Sequence, residues 1–381
     1  MKAQVREGHF LRKDSVMTAL RRFEWKIRSD RRLRLLATLI VSGLAYLVLR
    51  WGLGFIRGDE SPKLAAMVVA VAVGVVGAWL LFWILNNVVA SITSERIRQA
   101  LNPFVFVGPG LLLLFIFQIY PTVNTTFISF LDHRSETFVG LENYIFAFTT
   151  DDLLIAFRNN LLWLVIVTGL TVSLGLLVAV LADRVRFESV VKSTIFLPMA
   201  ISFVGASVIW KFVYAYRPPG TAQIGLLNAI VSATGGTPRG WLTHAPENSF
   251  FLMAIMIWIQ TGFCMVILSA AIKGVPKELL EAARVDGANA FQIFFRITLP
   301  YIRGSIITVA TTVALSVLRV FDIVYVMTNG QFNTEVIANR MYVEMFKFRN
   351  FGHAGALAVI LLVVVMPVMI VNVRNLRQQR S

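Results

Sequence analysis

Apolar runs, each about as long as a helix needs to cross a bilayer, recur eight times along the chain. They lie at roughly 35–56, 64–90, 104–131, 160–182, 194–216, 249–272, 304–327 and 354–373. About 20 mostly apolar residues span the hydrocarbon core, so the pattern predicts an all-α, polytopic integral membrane bundle of about eight transmembrane helices. The 64–90 run is long enough to tilt or to extend past the bilayer. The longest connectors between core runs, 132–159 and 217–248, are too short to hold a hydrophobic core of their own. Three parts follow: a basic segment 1–34, two extra helices within 35–100, and a six-helix core in 101–381.

Composition agrees and removes one temptation. The chain has 381 residues, of which 57% are hydrophobic and 15% charged, against about 25% charged in soluble domains; the mean hydropathy is +0.70. The net charge of +15 invites a nucleic-acid reading, but its distribution argues for topology. Residues 1–34, 91–103, 183–193, 273–303 and the C-terminal tail hold 24 of the 36 Lys and Arg; the alternate connectors hold 9. The positive-inside rule then places both termini and the 273–303 connector in the cytoplasm, and no nucleic-acid partner is needed. The stretch 16–27 is amphipathic enough to lie on an anionic lipid leaflet; a solvated basic anchor is the other reading. The long charged leader, with no small-residue cleavage site after the first apolar run, argues against a signal peptide. One cysteine, Cys264, and four scattered histidines leave no metal-ligand spacing, and no cofactor or catalytic residue is expected.

The connector before the seventh run carries the most information. Helix formers through Leu279, Leu280, Glu281, Ala282, Ala283 and Arg284 are interrupted at Asp286-Gly287, a pair suited to a helix C-terminus because glycine tolerates positive φ. A second amphipathic run starts at Ala290 and stops at Pro300, since proline does not continue a helix interior. The expected object is a hairpin of two short helices over 276–300, lying at the membrane surface.

The hairpin resembles the EAA loop of permease subunits in binding-protein-dependent ABC importers. Glu281-Ala282-Ala283, Gly287, Ile297 and Leu299-Pro300 keep every spacing of that pattern. Three further blocks occur in the family's order: Phe138-Val139-Gly140-Leu141-Glu142-Asn143-Tyr144; Leu197-Pro198 with Ser202 and Trp210, then Gly225-Leu226-Leu227-Asn228; and Phe321-Asp322-Ile323-Val324-Tyr325 with Thr328-Asn329-Gly330. Together they cover most of 104–373 and resemble the carbohydrate branch, similar to the larger maltose permease subunit and to α-glucoside permeases. The large outer domain of that maltose subunit is missing here, so contacts made through it do not carry over.

The resemblance implies a sugar as cargo, a di- or oligosaccharide or other glycoside, delivered by an extracytoplasmic solute-binding protein. It implies a second permease subunit and a dimer of ATPase subunits; the chain itself has no phosphate-binding P-loop motif. Glu281, Ala282, Ala283, Asp286, Gly287, Ile297, Leu299 and Pro300 would make the ATPase coupling, with Arg284 and Arg296 at its rim. The substrate path would pass Trp258, Gln260 and Thr261 before the hairpin and Ser316, Arg319, Asp322 and Tyr325 after it. Those last four are spaced by three and share one face if the helix is continuous, so that Arg319 and Asp322 would pair; an ionisable group inside a span needs a partner or water. A structural ion pair without sugar contact is the competing reading. A secondary transporter or channel without an ATPase, and a polytopic membrane enzyme, remain the alternative functions.

Overall fold

A computed structural model describes residues 31–58, 62–92, 94–183, 185–218 and 220–378; the basic 1–30 stretch with its amphipathic 16–27 segment lies outside them. Among the described residues the fold is helical, and the one β feature is an isolated bridge between Leu131 and Phe138. Among the described residues six helices are long and apolar enough to cross a membrane, or up to eight if each of two bent pairs is one span. The chain divides into two compact units, the first ending at Pro121 and the second starting at Thr122.

The first unit contains α1 (Arg31–Arg57), α2 (Lys63–Ala90) and α3 (Glu95–Leu114). α1 and α2 pack on each other where glycines remove bulk: a Cβ on Gly52 would sit 2.6 Å from the Val73 side chain, and one on Gly77 3.4 Å from Leu49. The rest of their surface is apolar and exposed, with Leu39, Trp51, Leu64 and Trp79 all beyond 60%. α2, apolar on every side apart from its ends, is built for lipid; α1 has arginines at its ends and Arg50 near one of them.

The second unit is organised on α5 (Asp151–Ala182) and α8 (Glu247–Lys273); α4 (Glu142–Thr149) precedes them. α5 and α8 cross closely because Gly175 has no side chain: a Cβ there would lie 2.4 Å from Cys264 Cβ and 3.0 Å from the Met265 nitrogen. Trp163, Val167, Leu252, Met256, Cys264 and Leu268 make the core around that crossing. The long α13 (Phe351–Gln378) closes the unit against Leu153, Ala156 and Ile337.

Two expected spans are not straight. The 194–216 run begins as α6 (Glu188–Phe196), passes through a 3-10 turn at Leu197–Ala200 and turns by 102° into α7 (Phe203–Val213). Ser202 makes the restart, its hydroxyl accepting from the Gly205 nitrogen at 3.1 Å as an N-cap. The 304–327 run ends as α11 (Arg303–Leu318) and resumes only at α12 (Asp322–Met327).

The family-like blocks act as loop staples. Asn143 is buried and donates to the carbonyls of Ser129 (2.9 Å) and Leu131 (2.7 Å). Asn228 is fully buried; it donates to Ala215 (2.9 Å) and Arg239 (3.1 Å) and accepts from the Arg239 nitrogen (3.0 Å). Asp132 accepts from the Glu136 and Thr137 nitrogens and the Thr137 hydroxyl; the Glu136 N–H holds its carboxyl down at about 2. Cys264, the one cysteine and fully buried, offers a direct reporter of unfolding through a thiol-reactive dye. With that reporter, Asn228→Ala is expected to lower stability by about 1–3 kcal/mol, because three partly buried backbone groups lose the buried amide that joins them; an unchanged melting temperature would show that the staple is dispensable.

Candidate functional site: a surface hairpin and a polar cleft

The hairpin is built as two capped helices. α9 (Lys277–Val285) ends in a Schellman arrangement: the Ala288 nitrogen donates to the Ala283 carbonyl at 2.9 Å and the Gly287 nitrogen to Arg284 at 3.1 Å. Gly287 stands at φ +80° with open space where its Cβ would be, so the turn needs glycine for its backbone and not for room. Two residues on, Asn289 starts α10 (Ala290–Ile293) with a capping box: its side chain accepts from the Gln292 nitrogen at 2.9 Å, and the Gln292 side chain accepts from the Asn289 nitrogen at 2.8 Å. A stop and a start inside so few residues make a stiff elbow. The second arm continues through Leu299–Tyr301 past Pro300, and a 66° bend leads into α11.

The two arms face different ways. Ala283 and Thr298 are buried, with Ile297 and Leu299 half-buried, and tie the elbow to the bundle. Between the arms and the ends of α5 and α8 lies a groove of about 290 Å³ lined by Val180, Asp183, Ile272, Leu280, Arg284 and Phe294 among others. Glu281, Ala282, Asp286, Arg296 and Pro300 are exposed, as is Arg284 at the groove's edge; among the described residues no ion pair joins any of these charges to the chain. Outward point Val285, 87% exposed, and Phe291, 76% exposed and stacked on Phe295 at 5.9 Å. Sequence reasoning passed over Val285, Phe291 and the Asn289–Gln292 box. The signals were present: large apolar side chains in a charged connector, and an N-x-x-Q start.

The substrate-path residues divide. Ser316, Arg319 and Asp322 meet at one small cleft with Phe203, Met256, Val320, Phe321 and Ile323. Trp258 packs edge-on against Trp210 at 5.8 Å in the core, Gln260 is buried on α8, and the Thr261 hydroxyl turns back to the Ile257 carbonyl at 2.6 Å. Tyr325 stacks on Phe321 at 5.1 Å and meets Tyr342 at the same distance. The expected common helix face from Ser316 to Tyr325, and with it the Arg319–Asp322 pair, is not observed. α11 stops at Leu318, three residues of non-helical chain follow, and Arg319 donates instead to the Leu315 carbonyl at 3.1 Å.

Residues 171–377 match the family described as binding-protein-dependent transport system inner membrane component. The chain belongs to that family. It is a multi-pass inner-membrane component of an ABC importer, a transport subunit and not an enzyme. It is similar to the osmoprotective compounds uptake permease protein of Synechocystis sp., 62% identical over 73% of this chain and 99% of that one. It is 45% identical to the alpha-glucoside transport system permease protein of Rhizobium meliloti, over 82% and 97% of the two chains. In fold it matches a crystal structure of a bacterial ABC transporter involved in the import of the acidic polysaccharide alginate, with TM-score 0.65 and 21% identity over 74% of this chain and 99% of that one.

Proposed function

We propose that this permease subunit moves a sugar, a di- or oligosaccharide or other glycoside. A solute-binding protein delivers it, a second permease completes the pathway, and a dimer of ATPase subunits drives it through the 276–300 hairpin. The elbow carries this reading. It is stiff, it is anchored on one face, and its other face offers uncompensated charge beside exposed Val285 and Phe291. Small Ala282 and the Gly287 turn allow a close fit in a cleft of a partner, with Glu281 as the charge contact. The relatives' transport of α-glucosides and osmoprotective compounds, as their names have it, favours the solute class. The excess of Lys and Arg on the hairpin side favours a cytoplasmic hairpin and cytoplasmic termini, with 1–34 as a basic anchor, 35–100 as accessory spans and 101–381 as the transporting core.

The cleft at Ser316, Arg319 and Asp322 is this subunit's contribution to the solute path. At about 40 Å³ it admits a water and not a sugar ring, so the facing permease supplies the remaining wall. The decisive experiment reconstitutes the chain with its second permease, ATPase and binding protein in liposomes. Glycoside-stimulated ATP hydrolysis with uptake is the expected result; uptake without ATP would overturn the reading in favour of a secondary transporter. In the same assay Asp322→Ala is expected to lower uptake about tenfold, the worth of one charge-assisted hydrogen bond, with normal ATPase recovery. Unchanged uptake would remove Asp322 from the path.

A further inference from the structure

We propose that Lys192 is a positioning residue that locks α6 to the hairpin-bearing end of α8, so that hairpin movement carries the bent α6–α7 segment with it. This rests on the importer reading above and names a part that reading leaves out. The Lys192 ammonium donates to Glu188 at 2.6 Å, one turn back on its own helix, and also to Asp183 at the end of α5 and to the Ser269 hydroxyl on α8. Ser269 donates in turn to Asp183 at 2.8 Å, and Lys273, the last residue of α8, pairs with Glu188. Two carboxylates and two ammoniums thus balance, and the Lys192 and Asp183 side chains are only 17% and 16% exposed. A half-buried charge of this kind must keep its partners, because removing one leaves the rest desolvated and unpaired.

A second contact fixes the far end of α6. Gly262 on α8 has no side chain, and a Cβ there would fall 2.5 Å from the Ile195 carbonyl oxygen and 2.7 Å from Phe196 Cα. α6 is therefore held ionically near its start and by backbone contact at its finish. What lies on either side gives the lock its meaning. Only Gly274, Val275 and Pro276 separate Lys273 from α9 of the hairpin. At the other end, the turn at Leu197–Ala200 and the Ser202 cap lead directly to Phe203, which lines the cleft with Ser316, Arg319 and Asp322. Coupling needs a contiguous element that both sites bias; a rigid α6–α8 body supplies it.

The test uses the complete reconstituted importer. In Lys192→Met, assembly with the ATPase and ATP hydrolysis are retained, while solute taken up per ATP falls about tenfold, within the usual span of a coupling free energy; Lys192→Arg restores the ratio. An unchanged ratio in Lys192→Met would overturn the proposal. A second arm places cysteines at Glu188 and Lys273 in a Cys264→Ala background, which removes the ion pairs of Glu188 with Lys192 and Lys273, and then joins them with a short bifunctional maleimide. The unbridged pair is expected to lose solute taken up per ATP and the bridge to restore it; a full ratio without the bridge, or uptake abolished by it, would overturn the proposal, and this arm decides alone if Lys192→Met does not assemble. Absence of ATP-dependent uptake in the unaltered importer would instead overturn the importer reading.

Discussion

Gly175→Val is expected to remove folded protein from the membrane almost completely. The position leaves a Cβ 2.4 Å from Cys264 Cβ and 3.0 Å from the Met265 backbone nitrogen, and α5 and α8 are the helices on which the second unit is built. Overpacking a core by a few carbons costs about 1–3 kcal/mol and at times more; here the obstacle is partly backbone, so no rotamer change relieves it. The measurement is monodisperse yield after detergent extraction. Gly175→Ala isolates the cause: it should also destabilise, and adding Cys264→Gly should recover part of the loss, since that substitution deletes the nearest atom. Recovery would appear as a non-additive pair, as residues in contact give. Strictly additive effects would show that the helices adjust around the crossing.

Glu281→Lys is expected to reduce ATPase recovered with the solubilised complex by about tenfold or more, the scale set by about 2–5 kcal/mol for losing one partner of a buried, hydrogen-bonded charge pair at an interface. Glu281 is exposed and, among the described residues, makes no ion pair, so membrane insertion and the unfolding reported by Cys264 should be unaltered. Normal recovery would take Glu281 out of the docking role and leave Val285 and Phe291 as the anchors. Uptake should fall in step with recovery, because the altered charge acts on assembly and not on the solute path.

The hairpin was legible because its boundaries are punctuated. Asp286-Gly287 interrupts the helix by covalent geometry, which does not depend on partners; Pro300, expected to end the second arm, sits within its last helical turn, and the break comes at Ile302. The straight spans were legible for a similar reason, since a run of apolar residues the thickness of a bilayer has few other uses. Pro198 marks the kink that precedes Ser202, but the break at Arg319 was not legible. It lies inside a continuous apolar run and has neither glycine nor proline to announce it. That one break separates Asp322 from the helix of Ser316 and cancels the i, i+3 pairing with Arg319. The Lys192 cluster was beyond reach for another reason: Asp183 and Ser269 are 86 positions apart, and nothing local to either residue points to the other. Trp258 and Gln260 show the converse, polar or aromatic residues whose types suggested a solute wall and which the fold spends in or beside the core.

The outward Val285 and Phe291 also bear on how cells must produce this subunit. A chain synthesised in excess of its ATPase would carry bare greasy side chains on an aqueous protrusion, the kind of surface that chaperones hold and membrane proteases degrade. Its abundance in vivo should therefore track the supply of that companion, and deleting the companion's gene should shorten the subunit's half-life.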